Sequence, residues 1–296
     1  KGRVGPGELI AVNYQEKKFY KSDELKKILS QRQDYSEWNK KTINLDNILA
    51  DKQISQPKEA IDQKYYQLAK SFNLSFETLD LILDPMVKTG QEATGSMGDD
   101  TPLSVLTERY RGLHSFFKQN FSQVTNPPID SLREQVVMSL KTRLGNLGNI
   151  AEEDSEQCNL VLLQSPILLD NELETLKEHL GQLTTEIDCT YDRNDETNFL
   201  NEIQRICSEA EQAVRSGSQH LIISDKNVNK DRISLPMILA TSAVHSYLIK
   251  NNLRTFTSLN VSSLECLDVH YFAVLIGVGA TTVNAALIEK IVCDRL

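Results

Sequence analysis

Few side chains in this chain of 296 residues have the types and spacing that catalysis or metal binding requires. Its five cysteines and five histidines are scattered, and no two of them form a Cys-x-x-Cys or His-x-x-x-His pair. The pattern therefore predicts no zinc site, no disulfide framework and no iron–sulfur cluster held by this chain. It assigns no catalytic, cofactor-binding or metal-binding residue.

Three short motifs leave alternatives open. Asp99 and Asp100 could form a carboxylate pair for acid–base chemistry, but adjacent loop residues rarely point together, so a cap for the next helix is favoured. Ser224-Asp225 ends a predicted strand, and loop capping is favoured there because no partner nucleophile or base is visible. The glycine cluster at residues 277–280 follows a predicted helix and precedes a strand, so a helix stop with close packing is favoured over a phosphate-binding loop.

The elements that would position these residues are clearest after about residue 184. The apolar run His220–Ser224 is typical of a strand buried in a parallel sheet. Helical and strand patterns alternate around it, which indicates right-handed βαβ units. We expect Ile222, Ile223 and Val283 on neighbouring buried strands, with residues 199–214 and 237–248 as covering helices.

The preceding part of the chain predicts an irregular helical structure. Ser75 should cap a helix that Asp84-Pro85 stops. Ser131 and Glu134 fit a capping box for a later helix that ends at Gly145. The expected buried face of that later helix consists of Leu132, Val136, Val137, Leu140 and Leu144.

A rigid non-helical crossing precedes the later helix. Residues 123–130 read Gln-Val-Thr-Asn-Pro-Pro-Ile-Asp, and the two prolines fix the backbone and remove two N–H donors. A structural turn is the simplest interpretation of these residues alone.

A resemblance adds a second interpretation. The blocks at residues 95–103, Gly-Ser-Met-Gly-Asp-Asp-Thr-Pro-Leu, and at residues 123–130 resemble the central domain of the glutamate synthase large subunit, in its ferredoxin- or NADPH-dependent forms. In that family the Thr-Asn-Pro-Pro-Ile segment lies at the passage that carries ammonia from a glutaminase site to a flavin site. The resemblance thus implies a set of channel-lining residues: Thr125, Asn126, Pro127, Pro128 and Ile129.

The resemblance also implies a domain organisation and a fold. Residues 1–20 would be a linker from a glutaminase domain outside the chain, and residues 21–296 the central domain. The fold class would be α/β, with an irregular helical part at about 21–183 and a parallel α/β part at about 184–296. That second part would be barrel-like, a reduced TIM barrel without the flavin.

The function implied is that of a non-catalytic linking domain. The whole enzyme would convert glutamine and 2-oxoglutarate to glutamate, with FMN and an iron–sulfur cluster in other domains, and this chain would hold no cofactor. Its partners would be the glutaminase and FMN-binding synthase domains of the same polypeptide, with ferredoxin or an NADPH-oxidising subunit as electron source. Arg143-Leu144-Gly145, together with Gly148-Asn149, looks slightly closer to ferredoxin-dependent than to nicotinamide-dependent members. The alternative is a stand-alone flavin- or phosphate-ligand-binding enzyme domain.

Composition limits the partners and the compartment. A net charge of −9 and a pI near 5.2 argue against nucleic acid or an anionic membrane as partner. The longest apolar runs are too short to cross a bilayer. Scattered cysteines in odd number fit a reducing compartment, and with the resemblance we expect the cytoplasm or the plastid stroma.

Overall fold

A computed structural model describes residues 2–50, 63–91, 93, 106, 108, 112–118, 124, 128–194 and 199–295. The strands are β1 (Ala11–Asn13), β2 (Lys18–Tyr20), β3 (Ile43–Asn44), β4 (Thr142–Leu144), β5 (Val161–Leu163), β6 (Thr184–Asp188), β7 (Thr190–Asp192), β8 (His220–Ser224), β9 (Arg232–Ser234), β10 (Ser258–Ser262) and β11 (Thr282–Asn284). The α-helices are α1 (Ser22–Ser30), α2 (Tyr35–Asn39), α3 (Leu45–Ala50), α4 (Gln63–Ser71), α5 (Phe76–Thr78), α6 (Asp84–Thr89), α7 (Ser131–Val137), α8 (Asp170–Leu180), α9 (Phe199–Arg215), α10 (Met237–Lys250), α11 (Val269–Gly277) and α12 (Ala286–Arg295).

The predicted parallel sheet is present and has the order β11-β10-β8-β6. Every neighbouring pair in it is parallel. Ile223 of β8 and Val283 of β11 lie in this sheet as predicted, but they are not on adjacent strands, because Val261 of β10 pairs with both. Strands β6, β8, β10 and β11 lie in the sheet in the same order as they occur along the chain. Each βα unit therefore adds its strand beside the strand of the previous unit.

The sheet contains one continuously apolar run, at residues 221–223 of β8. All five residues of β8 are buried. On α9, Ile206, Ala210 and Val214 recur at helical spacing and are buried in the same core as Leu221 and Ile223. Helices α9 and α10 therefore cover the sheet, as the sequence predicts.

The other face of the sheet is largely polar. His220 Nδ1 and Ser258 Oγ lie 2.8 Å apart on neighbouring strands. The Thr282 hydroxyl donates to Asn260 Oδ1 at 2.7 Å, and Asn260 Nδ2 donates to the Leu221 carbonyl at 3.1 Å. Because these buried groups bond to one another, this part of the face can be covered by the second, smaller core.

The part of the chain predicted as helical also contains a sheet. Strand β5 pairs in parallel with β3 and antiparallel with β4, giving the order β3-β5-β4. This corrects the prediction of one long helix up to Gly145, since α7 ends at Val137 and Thr142–Leu144 is a strand. The physical reason is the burial of Leu144 beside β5, where it joins the smaller core.

Asp84-Pro85 does not stop the helix that Ser75 begins. The Ser75 hydroxyl accepts from Thr78 N at 3.1 Å, as predicted. The chain then makes a wide π-helical turn over Leu79–Leu83 and continues into α6, with Pro85 in the first turn of that helix. A proline is tolerated there because its missing N–H would have had no helical partner. The helix ends at Gly90, which has a φ of 65°.

The structure establishes an α/β fold with a four-stranded parallel sheet. A segment at Ile167 extends the sheet edge through a parallel bridge to Val283. Among the described residues the strands do not close into a barrel, so the reduced TIM barrel stays a prediction. Across the same part of the chain, every helix is too short or too polar to serve as a transmembrane segment.

Candidate functional site

The proline crossing is described only at its second half. Thr125, Asn126 and Pro127 lie outside the described residues. Pro128 and Ile129 are exposed and lead into Asp130. The Asp130 carboxylate, rather than the predicted Ser131, caps α7 by accepting from the backbone N–H groups of residues 132 and 133, both at 3.0 Å.

Helix α7 presents apolar side chains to solvent. Leu132 is 89% exposed, Val136 78% and Val137 57%, so the buried face predicted for this helix faces outward. Single exposed apolar residues are ordinary, but a contiguous group marks an interaction surface. We call this group the α7 surface, and it consists of Ile129, Leu132, Val136, Val137, Met138 and Leu140.

A second candidate site is the carboxyl edge of the parallel sheet, where ligands bind in many α/β folds. Asp188 ends β6, and its carboxylate accepts from Thr190 N at 2.9 Å, Asn227 Nδ2 at 3.1 Å and Arg232 Nη2 at 3.3 Å. Asn284 ends β11 and donates to Asp170 Oδ1 at 2.9 Å. Side chains at this edge therefore bind one another.

Asp225 occupies the centre of this edge and is fully buried. Its Oδ1 accepts from Leu264 N at 2.7 Å and its Oδ2 from Ser234 Oγ at 3.3 Å. Burial raises the pKa of this carboxyl to about 7, although the bond from Leu264 N acts in the opposite direction. Loop capping, the favoured prediction for Ser224-Asp225, is confirmed. An edge filled in this way does not fit the phosphate of a flavin.

The glycine cluster lies at the opposite, amino end of the strands. Helix α11 stops at Gly277, and Gly279 has a φ of 122°. A Cβ on Gly279 would lie 2.4 Å from the His245 ring. Arg254 donates to His245 Nδ1 at 3.0 Å and to the carbonyl of Gly279 at 2.9 Å. The prediction of a helix stop with close packing is confirmed.

Asp99 and Asp100 lie outside the described residues. In the part of the chain that the structure describes, no three His, Cys, Asp or Glu side chains come together as they would around a metal ion.

Sequence reasoning missed a cavity of about 180 Å³ beside the start of α11. It is lined by Phe72, Asn73, Leu74, Thr78, Gly112, His114, Ser115, Glu265, Leu267, Asp268 and Tyr271. These residues come from three separated segments, and none of them forms a motif with its sequence neighbours. No sequence signal could have joined them.

The fold and these sites define an α/β domain with an exposed, partly apolar surface at α7 and an internally capped sheet edge. A family model described as the glutamate synthase central domain matches residues 67–295. The match covers more than half of the chain, so the chain belongs to the glutamate synthase central domain family. A second model, described as glutamine amidotransferases class-II, matches residues 1–38 and so extends past the boundary predicted at residue 20. That boundary stays a prediction.

Individual relatives agree with the family. The chain is 50% identical over 297 residues to the glutamate synthase [NADPH] large chain of Azospirillum brasilense, covering 100% of this chain and 20% of that protein. It is 38% identical to the glutamate synthase [NADH] of Saccharomyces cerevisiae, covering 94% of this chain and 14% of that protein. It is 37% identical to the chloroplastic ferredoxin-dependent glutamate synthase of Spinacia oleracea, covering 96% of this chain and 18% of that protein.

Two facts follow from the coverage and the identities of these relatives. The chain spans only 14 to 20% of the length of these three relatives. Its identity to the NADPH relative exceeds that to the ferredoxin-dependent relative, which is opposite to the slight preference suggested by residues 143–145 and 148–149.

Proposed function

We propose that this chain is the non-catalytic domain that links a glutaminase unit to an FMN-binding synthase unit within a glutamate synthase polypeptide. Residues 125–129 would border the passage that ammonia takes between them. The family match supports the first part of the proposal. The amidotransferase match at residues 1–38 supports a glutaminase unit on the N-terminal side.

The observation that carries the linking role is the α7 surface. It adjoins Pro128 and Ile129, and its apolar side chains are largely exposed in this chain alone. Exposed apolar groups of this kind gain stability when another surface covers them. Since the relatives are several times longer than this chain, a neighbouring unit of the same polypeptide is the natural cover.

The role of the crossing would be steric and polar. Ammonia is small and neutral, so a passage for it needs a fixed narrow wall with few competing waters. Consecutive prolines hold a fixed shape and offer carbonyls without matching N–H groups. Asn126 would supply an amide that can both donate and accept. The Asp130 cap ties the end of this wall to α7.

The whole polypeptide would make glutamate from glutamine and 2-oxoglutarate. The FMN and the iron–sulfur cluster that supply electrons would lie in other domains, with ferredoxin or an NADPH-oxidising subunit as donor. We propose the cytoplasm or the plastid stroma as its compartment, the latter because the spinach relative is named chloroplastic.

The experiment is a coupling measurement in the complete enzyme. Asn126→Leu and Pro127→Gly should leave each half-reaction largely working but raise the ratio of glutamine consumed to 2-oxoglutarate consumed. Asn201→Leu, at an exposed position of α9, is the matched control and should leave the ratio unchanged. An unchanged ratio in well-folded crossing variants would contradict the channel role. Loss of both activities with a lower melting temperature would mean that the crossing only holds the fold.

The alternative of a stand-alone flavin- or phosphate-binding enzyme would need the carboxyl edge of the sheet. The strand ends there are engaged with one another, as the bonds of Asp188 and Asp225 show. We therefore expect the purified chain to be colourless and without glutaminase or glutamate-forming activity. Flavin absorbance that copurifies with it, or turnover that survives contamination controls, would favour the alternative.

A further inference from the structure

The cavity beside α11 is lined by a buried hydroxyl group, that of Tyr271, which lies close to the Glu265 carboxylate. Tyr271 is 1% exposed. Within the described chain its hydroxyl makes no hydrogen bond of good geometry. A buried polar group left unbonded costs roughly 1–3 kcal/mol. Burial raises the pKa of Tyr271 far above its usual range, and the nearby Glu265 carboxylate raises it further, so this hydroxyl stays protonated.

A second unsatisfied atom lies in the same cavity wall. His114 Nδ1 is buried and lacks a partner in the part of the chain that is described. Its other nitrogen, Nε2, lies 3.6 Å from Asp268 Oδ2. Burial lowers the pKa of His114, and a neutral ring with its proton directed at Asp268 leaves Nδ1 as an acceptor. The His114 and Tyr271 rings are in contact, with centroids 4.9 Å apart.

Gly112, two residues before this histidine, leaves room for the ring. A Cβ on Gly112 would lie 2.5 Å from the His114 ring. Any other residue at position 112 would therefore displace the ring that carries the free acceptor.

The charged groups of the wall are acidic. Asp268 and Glu265 line the cavity, and no lysine or arginine is among its described lining residues. The Asp268 carboxylate also caps α11 by accepting from Tyr271 N at 2.7 Å. Phe72 and Leu267 provide an apolar portion. A ligand that fits this cavity should therefore have a positively charged end with hydrogen-bond donors and an apolar end.

We propose that this cavity binds a small primary ammonium ion with a short alkyl group. An ammonium group has three N–H donors and no acceptor, which matches the Tyr271 oxygen, His114 Nδ1 and the Asp268 carboxylate. An apolar cavity of about 150 Å³ holds a molecule the size of benzene, so about 180 Å³ admits a guest of similar size. The proposal does not rest on the channel proposed above, because neither Pro128 nor Ile129, the described residues of 125–129, is among the described lining residues of the cavity.

Calorimetric titration of the full-length polypeptide with n-propylammonium chloride tests the site, with n-propanol and sodium propionate as comparison probes. We expect saturable binding of propylammonium alone. Tyr271→Phe keeps the ring and removes the hydroxyl, and Asp268→Asn keeps an oxygen that can cap α11 but removes the charge. Each should weaken binding roughly ten-fold or more, the effect of losing a hydrogen bond to a charged group.

Two control variants make the same chemical changes elsewhere. Tyr247→Phe removes a hydroxyl bonded to Glu211, and Asp130→Asn changes the cap of α7. Both should bind propylammonium with unchanged affinity. The proposal is overturned if propylammonium fails to saturate, if propanol binds equally well, or if Tyr271→Phe and Asp268→Asn bind as tightly as the parent. If circular dichroism shows that either Tyr271→Phe or Asp268→Asn is unfolded, the affinity of the other variant tests the proposal.

Discussion

At the scale of single residues, Asp225 makes the stability of the fold depend on pH. Its carboxyl is fully buried and has a folded-state pKa of about 7, above the ordinary value of 3.8. The folded state therefore holds this proton more tightly than the unfolded state. The stability from this group is complete below pH of about 4 and declines as pH rises toward and through 7, by up to about 1.4 kcal/mol per pH unit.

Asp225→Asn should remove this pH dependence. An asparagine keeps an oxygen for Leu264 N but does not titrate. The loss of stability relative to the parent should therefore be largest near pH 4 and smallest near pH 8. Urea denaturation at a series of pH values measures it. Asp130→Asn, at the exposed cap of α7, is the control. A difference that stays constant over this range would show that Asp225 is ionised throughout.

A second residue-scale prediction concerns the amino end of the sheet. The Arg254 guanidinium donates to the carbonyls of Thr257 at 2.7 Å and Gly279 at 2.9 Å. Arg254→Ala would leave these carbonyls unpaired, and we expect it to lower the free energy of unfolding by roughly 2–4 kcal/mol. Arg215→Ala, which breaks an exposed pair with Glu211, should cost under about 1 kcal/mol. Equal effects in chemical denaturation would argue against a structural role for Arg254.

At the scale of elements, substitutions on the exposed face of α7 should affect assembly of the complete enzyme but not folding of this chain. Leu132 and Val136 are exposed, so Leu132→Glu with Val136→Glu should change the stability of this chain by no more than about 0.5 kcal/mol per site. In the complete enzyme the same pair should weaken the docking of a neighbouring unit and raise the ratio of glutamine to 2-oxoglutarate consumed.

The control for α7 is Leu200→Glu, an exposed apolar position on α9. It should alter neither the stability nor the consumption ratio. If the α7 pair leaves the ratio and the melting temperature of the complete enzyme unchanged, the α7 surface has no covering unit.

The elements also show where sequence patterns suffice. His220–Ser224 was predictable because its three central residues are consecutively apolar, as expected of a strand buried on both faces. The exposure of the apolar face of α7 was not predictable, since apolar periodicity identifies a face of a helix but not what covers that face. Leu144 continues that periodicity, yet it packs in a strand because β5 offers a partner from elsewhere in the chain. Tertiary contacts of this kind override local patterns.

At the scale of the whole molecule, the five cysteines differ in burial. Cys189, Cys207 and Cys266 are buried, Cys158 is partly buried, and Cys293 is exposed. Burial raises the pKa of Cys189, Cys207 and Cys266, so each of these thiols is both shielded and protonated.

A thiol-specific reagent should therefore modify native Cys293 first and Cys158 more slowly. The three buried cysteines should react only after denaturation. Mass spectrometry of partly labelled protein gives the order. Rapid labelling of Cys189 or Cys266 in the native state would contradict the packing of the sheet against its helices.

The candidate sites differ in how far the sequence could reveal them. The crossing at residues 123–130 was visible because its residues are contiguous and resemble a known family. The cavity was hidden because Phe72, Gly112 and Tyr271 meet only after the chain has folded. No pattern within this chain determines what would cover the α7 surface.

The pairing of β3 with β5 constrains the order in which the chain can fold during synthesis. Ile43 pairs with Val161, and the Thr42 hydroxyl bonds to a carbonyl 116 residues further on. A ribosome must therefore release more than the first half of this chain, through Leu163, before the β3-β5-β4 sheet can close, and bringing such distant segments together is slow. Strands β8, β10 and β11 instead each join the strand of the parallel sheet that emerged just before them. Their sheet can grow one unit at a time, so ribosome-bound intermediates truncated after α10 should already protect β6 and β8 from proteolysis.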